Sequence, residues 1–211
     1  EESIVDYLAM QYSLSDKTFF LNILKLMPGH FLKYSAGLIR IEKYWDADLY
    51  AREEDFDGAM HGEKLKSAIE TSVKLRLRSD VSICGYLSGG VDSNVVCQLA
   101  SNVSENQFRT FTFGSNSEVD ESDRARRCSE IYGTEHYCIT MPDADFMPLW
   151  RYVTHVMDEP AVGYSLVPQY LMSKAVQKHS TVVLGGQGGD ELFFGYGWHS
   201  ILLIRQLNPV K

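Results

Sequence analysis

Short apolar runs alternate with helical patterns from residue 58 onward, and this alternation constrains the fold more than any other feature of the sequence. Apolar side chains recur every four residues from Leu65 to Leu77, which predicts an amphipathic helix. Later apolar runs have the length and the β-branched or aromatic content of strands, and they occupy residues 81–87, 108–113, 135–140 and 181–184. Strands that alternate with helices pair in parallel, so the sequence predicts a doubly wound α/β fold in which helices flank a parallel sheet.

A glycine-rich turn follows the first of these runs, and it reads Leu87-Ser88-Gly89-Gly90-Val91-Asp92-Ser93. Adjacent glycines let successive N–H groups face one point, and the start of the next helix and the hydroxyls of Ser88 and Ser93 add further donors. Such a turn suits an anion of phosphate size. No lysine follows the glycines, which excludes the nucleotide loop G-x-x-x-x-G-K-S/T. Because a bare carboxylate at Asp92 would repel phosphate, we expect it to hold Mg²⁺, which bridges to phosphate oxygens.

A second glycine-rich turn follows the run at 181–184, and it reads Gly185-Gly186-Gln187-Gly188-Gly189-Asp190-Glu191. In a parallel sheet both turns leave at the carboxyl ends of the strands, where ligands bind. The sequence therefore predicts that Asp92 and Asp190 approach one metal ion. The alternative is that each turn is only a tight connection and that Asp190 caps its helix. The similar composition of the turns at equivalent places favours the metal site.

Composition excludes several other classes of protein. The 211 residues carry a net charge of −8, the wrong sign for a nucleic-acid partner, whose phosphates require Lys and Arg. No run approaches the ~18 apolar residues of a membrane span, so no membrane partner is expected. The four cysteines form no C-x-x-C pair and the six histidines form no cluster, which argues against structural zinc. We expect the cysteines to be small buried side chains in a cytoplasmic protein.

Residues 1–57 lack the regular apolar pattern of the rest of the chain. Their aromatic residues follow neither a helical nor a strand period, although two apolar runs flank Ser35-Ala36-Gly37 and predict a hairpin. We therefore predict an irregular linker segment at 1–57 and a single ligand-binding domain at 58–211. The chain opens at Glu1 with neither Met nor a basic-then-apolar leader, which predicts a piece of a longer chain without a secretory signal.

The two turns together resemble a known family. The first, Ser88 to Ser93, is similar to the S-G-G-x-D-S pyrophosphate loop of the N-type ATP pyrophosphatases, and Gly186 to Tyr196 resembles the second signature of glutamine-hydrolysing asparagine synthetases. Further matches cover nearly the whole chain and include Phe111-Thr112-Phe113-Gly114, Asp120-Glu121-Ser122, Tyr132-Gly133-Thr134-Glu135-His136, Asp158-Glu159-Pro160, Leu26-Met27-Pro28-Gly29-His30 and Tyr44-Trp45-Asp46. The resemblance implies an adenine nucleotide alpha hydrolase-like fold. It also implies that 58–211 is a C-terminally truncated ATP-binding synthetase domain, and that 1–57 is the linker from a glutaminase domain of the same parent chain.

In that family ATP is cleaved between its α and β phosphates, the side-chain carboxylate of aspartate becomes an acyl-adenylate, and ammonia from glutamine displaces AMP to give asparagine. Such chemistry depends on positioning and on stabilising the charge of the departing pyrophosphate. The resemblance implies catalytic roles for Asp92, Gln187 and Asp190, and Mg²⁺ on Asp92 and Asp190. It implies that ATP is held by Leu87, Ser88, Gly89, Gly90, Asp92, Ser93, Phe113, Gly185 and Gly186. A homodimer is also expected to be possible.

One residue departs from the family pattern. Gln187 stands where the family usually carries Glu or Asp, and an amide cannot accept a proton or carry charge. Either Gln187 still orients the reacting groups, or the substrate range has shifted, or turnover is weakened. The alternatives to an asparagine synthetase are therefore a related adenylating amidotransferase or cyclase with another carboxylate acceptor, and a nucleotide-binding module without turnover.

Overall fold

The computed structural model describes residues 2–47, 58–114, 120–141, 146–157, 159–160, 163, 165–199 and 201. Along these residues the elements are α1 (Glu2–Met10), β1 (His30–Ser35), β2 (Leu38–Lys43), α2 (Gly58–Arg76), β3 (Ile83–Tyr86), α3 (Val91–Val103), β4 (Arg109–Gly114), α4 (Ser122–Tyr132), β5 (Glu135–Thr140), α5 (Phe146–Val156), α6 (Leu166–Val176), β6 (Val182–Leu184) and α7 (Gly189–Phe193). They divide into two compact units, Glu1–Phe56 with Pro148–Leu166 and Asp57–Met147 with Val167–Lys211. The predicted domain boundary at residue 57 stays a prediction.

The first unit contains the predicted hairpin. Strands β1 and β2 pair antiparallel, and Ser35 faces Leu38 across a two-residue turn. Ala36 and Gly37 have φ of 50° and 80°, the left-handed backbone that such hairpin turns need. The structure adds a helix, α1, that the sequence analysis did not predict. Long-range contacts tether it: Ser3 Oγ donates to the Thr18 carbonyl at 2.7 Å, and Lys17 Nζ lies 2.6 Å from Asp6 Oδ2.

The second unit is built on a four-stranded sheet in the order β5-β4-β3-β6, and every neighbouring pair is parallel. Its strands lie within or at the edges of the four predicted runs. Helix α4 ends at Gly133, where φ is 67°, as its glycine predicts. The parallel sheet predicted from the sequence is therefore confirmed.

Helices pack on both faces of this sheet, which makes it doubly wound. On one face Val73 of α2, Cys97 of α3 and Ala125 of α4 form a cluster with Leu87 and Phe108. On the other face the buried cluster is Cys84, Phe111 and Val176, the last from α6. Phe111 also stacks on Tyr137 of β5, with ring centroids 4.9 Å apart. The sheet is therefore buried on both sides, and it fixes where the strand ends lie.

None of the helices in the described ranges has the length and apolar character needed to cross a membrane.

Burial of Cys97 between α3 and the sheet gives a prediction about thiol reactivity. Cys97 is fully buried, and this burial raises the pKa of its thiol to about 12. Because the thiolate is the reactive form, we expect Cys97 to resist iodoacetamide in the folded protein at about pH 8 and to react after unfolding in guanidinium. Timed labelling followed by peptide mass spectrometry measures this, with the exposed Cys138 as the internal reference. Equal labelling rates for both thiols in the folded protein would contradict the packing.

Candidate active site

The first glycine-rich turn connects β3 to α3 and is held by its own side chains. The Ser88 amide donates to Ser93 Oγ at 3.1 Å, and the Gly90 amide donates to Ser88 Oγ at 3.1 Å. Asn94 Nδ2 donates to the carbonyls of Ser88 and Gly90 at 3.1 and 2.6 Å. The two serine hydroxyls also lie 2.8 Å apart. These bonds fix the turn's shape before any ligand arrives, and they engage the amides of Ser88 and Gly90 internally.

The second glycine-rich turn connects β6 to α7. Gly188 precedes α7 with φ of 94°, a left-handed backbone that favours glycine, and the Gly189 amide donates to the Gly186 carbonyl at 3.1 Å. After α7 the Gly195 amide donates to the Asp190 carbonyl at 3.0 Å. The hydroxyl of Tyr196 donates to Glu191 Oε1 at 2.7 Å and holds the pKa of that carboxyl below its usual range. The signature residues after Gly188 thus form a short helix closed by a left-handed Phe194.

The two turns meet, because β3 and β6 are parallel neighbours with Gly85 beside Leu184. A Cβ atom on Gly186 would lie 2.6 Å from the Ser93 amide nitrogen and 2.8 Å from the Asp92 carbonyl carbon. A Cβ atom on Gly189 would collide with Asp92 Oδ2. Gly186 is therefore needed for the close approach of the second turn to the backbone of the first, and Gly189 for its contact with the Asp92 side chain.

The structure places the side chain of Asp92 at this junction, and a metal site shared with Asp190 stays a prediction. The carboxylate of Asp92 lies against Gly189, the residue before Asp190, whereas the carboxylate of Asp190 is directed at Gly195. Both side chains are partly buried. Within the described ranges, no group of three or more His, Cys, Asp or Glu side chains converges on one point. Two carboxylates with phosphate oxygens and water are nevertheless a usual donor set for Mg²⁺, so Asp92 and Asp190 suit that ion.

The other predicted binding residues lie at the same edge of the sheet with different exposures. Leu87 is buried and donates its amide to the Phe111 carbonyl at 2.9 Å. Phe113 is half-buried near the end of β4, the strand next to β3. Gly185 and Gln187 are exposed, and no atom lies within 4 Å of a Cβ placed on Gly185. The site residues therefore form an open edge and not an enclosed chamber.

A cavity of about 620 Å³ lies between the second turn and helices α2 and α3. Asp92 and Gln187 line it together with apolar side chains, among them Ile69, Val95 and Phe193. Residues from both turns therefore share the lining of one apolar hollow.

Sequence reasoning missed two residues that cover the first turn. The Gly89 amide donates to Glu121 Oε2 at 3.1 Å, and Arg124 Nη1 donates to the Gly89 carbonyl at 3.4 Å. Glu121 falls in a stretch that matched the family pattern, but the match carried no role. No sequence signal marks Arg124, because its contact with Gly89 arises only from the packing of α4 beside α3.

The sheet is parallel and wound on both faces, and glycine-rich turns follow β3 and β6, which makes this a doubly wound α/β domain. The sequence profile named asparagine synthase matches residues 64–210, and the chain belongs to the asparagine synthase family.

Known proteins similar to this chain include putative asparagine synthetase (glutamine-hydrolyzing) 2 of Methanocaldococcus jannaschii, which is 30% identical over 94% of this chain. Asparagine synthetase (glutamine-hydrolyzing) 1 of Bacillus subtilis is 28% identical over 93% of it. The chain spans 39% and 31% of the lengths of these two relatives. Among solved structures, the NH3-dependent NAD synthetase of Campylobacter jejuni aligns with a TM-score of 0.43 at 21% identity, covering 67% of this chain and 62% of that one.

Proposed function

We propose that the protein containing this chain is an ATP-dependent amide-forming ligase. It adenylates the side-chain carboxylate of aspartate, releases pyrophosphate, and transfers ammonia from glutamine to give asparagine. The observation that carries this proposal is the contact between the two glycine-rich turns, which places Asp92 beside the turn that holds Asp190. Membership of the asparagine synthase family supports it.

In the proposed reaction, a carboxylate oxygen of aspartate attacks the α phosphorus of ATP, and the bond from that phosphorus to the β-phosphate bridging oxygen breaks. Ammonia then attacks the acyl carbon, AMP leaves with the former carboxylate oxygen, and the nitrogen loses a proton to solvent or a nearby base. Charge accumulates on the departing pyrophosphate, so donors held in advance lower the barrier most. The internal hydrogen bonds of the first turn fix its backbone in advance, although the amides of Ser88 and Gly90 themselves donate within the turn.

In this proposal, residues at the strand ends bind different parts of the ATP molecule. Ser88, Gly89, Gly90 and Ser93 would hold the phosphates. The backbone at Leu87 and Phe113, which end neighbouring strands, would hold the adenosine end together with Gly185 and Gly186. Burial of Leu87 makes its backbone a rigid support, whereas the half-buried ring of Phe113 is available for stacking on adenine.

Asp92 and Asp190 would hold Mg²⁺, whose chemistry is to neutralise charge on the phosphate oxygens. Two carboxylates fit this ion because Mg²⁺ prefers oxygen donors. The glycines at 186 and 189 let the second turn contact Asp92 without an intervening side chain.

Gln187 is proposed to orient the reacting groups through its amide. It is exposed and lines the cavity together with Asp92, so a bound acceptor could reach it. An amide donates and accepts hydrogen bonds but cannot take the proton that the attacking amine loses. That proton must therefore pass to another base or to water in this protein.

The remaining parts of the proposal concern the whole protein. Residues 1–57 would link a glutaminase domain to the ATP-binding domain at 58–211, and that glutaminase domain would supply the ammonia. The names of the similar proteins, which include glutamine hydrolysis, support this arrangement. A homodimer remains part of the proposal.

The test is to incubate the full-length protein with Mg-ATP, aspartate and either ammonium chloride or glutamine. We expect AMP, pyrophosphate and asparagine in equal amounts, and ammonium allows synthesis without the glutaminase step. Labelled phosphates resolved by chromatography and asparagine measured by mass spectrometry give the stoichiometry. Release of ADP and phosphate in place of AMP and pyrophosphate would refute the proposal.

A second candidate is an adenylating amidotransferase or cyclase with another carboxylate acceptor. The apolar cavity lined by both Asp92 and Gln187 favours it, because an acceptor with an apolar body would fit such a lining better than aspartate. A screen of carboxylic acids for pyrophosphate release separates the two candidates. ATP binding without exchange of labelled pyrophosphate into ATP would instead indicate a nucleotide-binding module without turnover.

A further inference from the structure

The carboxylate of Glu121, a residue of this chain, binds to the first glycine-rich turn. Glu121, the residue before α4, accepts a hydrogen bond from the Gly89 amide at 3.1 Å. The amides of Ser88 and Gly90 already have hydroxyl acceptors in the same turn, so the Gly89 amide is the one given to a charged group. A carboxylate oxygen and a phosphate oxygen are both anionic hydrogen-bond acceptors. They therefore compete for the single N–H of the Gly89 amide.

Arg124 covers the same glycine from the first turn of α4, three residues after Glu121. A Cβ atom on Gly89 would lie 2.8 Å from Arg124 Cδ and 3.2 Å from Glu121 Cβ, so both side chains pack directly against the turn. The guanidinium donates to the Gly89 carbonyl at 3.4 Å, which is long for a hydrogen bond and is easily exchanged. Arg124 is therefore a cation placed directly against the turn.

The first turn has no basic residue of its own to bind phosphate, and Arg124 places a positive charge against it. No lysine follows its glycines, and Asp92 adds a negative charge beside the expected site of a polyanion. A guanidinium presents a planar fork of donors that matches two phosphate oxygens, and it keeps its charge at every physiological pH. Glu121, in contrast, repels any phosphate that approaches Gly89.

We propose that Glu121 is an internal competitor for the phosphate site at Gly89, and that Arg124 is the cationic partner of the phosphate that displaces it. The ligand is a pyrophosphate group, free or as part of a nucleoside triphosphate. This inference rests on the proposed function for its nucleotide, but the competition at Gly89 concerns phosphate binding alone. Binding then exchanges one anion for another at the same amide, while Arg124 turns from the Gly89 carbonyl to the incoming oxygens.

The competition predicts an unusual gain of affinity. Glu121→Gln keeps the shape of the side chain and an acceptor for the Gly89 amide but removes the charge. We expect it to bind magnesium pyrophosphate about fivefold more tightly than the wild type, because charge-assisted hydrogen bonds are roughly twice as strong as neutral ones. Isothermal titration calorimetry on the full-length protein measures this. Glu130→Gln is the matched control, since Glu130 lies on the same helix and pairs with Arg126 at 2.9 Å. A merely structural Glu121 would give unchanged or weaker binding in Glu121→Gln, and that result would overturn its assignment.

Arg124 is tested by loss and by rescue. We expect Arg124→Ala to bind pyrophosphate about tenfold more weakly and to show a shallower dependence on salt, while Arg124→Lys recovers part of the affinity. Arg126→Ala removes the same charge from the same helix, where its guanidinium contacts Asp123 and Glu130, and it is expected to change affinity less than twofold. Equal effects of Arg124→Ala and Arg126→Ala would show that Arg124 contributes only to the overall electrostatic field of the protein, contrary to the proposal.

Failure of this inference is distinguishable from failure of the proposed function. If Glu121→Gln tightens and Arg124→Ala weakens pyrophosphate binding while no amide forms, the competition stands and the ligase proposal falls. If AMP and pyrophosphate are produced but Glu121→Gln behaves like Glu130→Gln, the ligase proposal stands and the competition falls. Absence of pyrophosphate binding in both the wild type and Glu121→Gln would overturn the competition as well.

Discussion

Asp92→Asn is expected to lower pyrophosphate release by about a thousandfold, the size of effect found when a group that stabilises transition-state charge is removed. Asn has nearly the same shape as Asp, so it should preserve the packing of this side chain against Gly189 and leave the fold intact. What it removes is the negative charge that the proposal assigns to Mg²⁺. Rates of pyrophosphate release by the full-length protein with Mg-ATP and aspartate, together with melting temperatures, give the measurement.

Asp80→Asn serves as the control for this variant, because Asp80 is an exposed acid that precedes β3 at the opposite end of that strand. It should keep the wild-type rate. We expect Asp190→Asn to lose activity to a similar degree, since both carboxylates are proposed to serve one ion. Retention of more than about a tenth of the activity in Asp92→Asn would contradict the assignment of this residue, given the effect expected for a charge-stabilising group.

Gly186→Ala is expected to separate the two turns and to lower turnover by about a hundredfold. The added methyl carbon would lie 2.6 Å from the Ser93 amide nitrogen and 2.8 Å from the Asp92 carbonyl carbon, and backbone atoms cannot rotate away as a side chain does. Overpacking of this kind costs about 1–3 kcal/mol of the free energy of unfolding. A displacement of about 1 Å between reacting groups lowers rates by a factor of about 10². We therefore expect a larger loss of activity than the loss of stability alone would cause.

The neighbouring glycine supplies the matched control. Gly185→Ala adds the same methyl group in the same turn, where nothing lies within 4 Å, and its effect on unfolding should stay below about 0.5 kcal/mol. Urea denaturation measures the stability of both variants, and pyrophosphate release measures their activity. If Gly186→Ala were as stable as Gly185→Ala and kept the wild-type rate of pyrophosphate release, the close approach of the turns would not matter for function.

Periodicity was enough to predict the elements of the sheet, because buried parallel strands and amphipathic helices leave regular patterns in the sequence. It could not predict α1, whose placement depends on Ser3 reaching Thr18 and on the ion pair between Lys17 and Asp6. Nor could it give the strand order that puts β6 beside β3. Local patterns do not record which distant segments become neighbours.

The candidate site shows the same division between local and spatial information. Its glycines and acids were evident from composition, and the contact of Gly186 and Gly189 with Asp92 agrees with the predicted approach of the turns. The internal bonding of the Ser88 and Gly90 amides was not predicted, because a hydroxyl can serve a ligand or its own turn equally well. Glu121 and Arg124 were missed because they reach Gly89 from another helix.

The pairing of β3 with β6 has a consequence for synthesis on the ribosome. Cys84 Sγ contacts the Val182 carbonyl at 3.7 Å across 98 residues of chain, so β3 can pair with β4 early but lacks its second neighbour until residues 182–184 have been translated. Contacts between distant segments form slowly, because the entropy of closing the intervening loop is lost before the contact stabilises anything. Nascent chains arrested before residue 182 should therefore be more sensitive to protease around residues 83–90 than chains in which β6 has emerged.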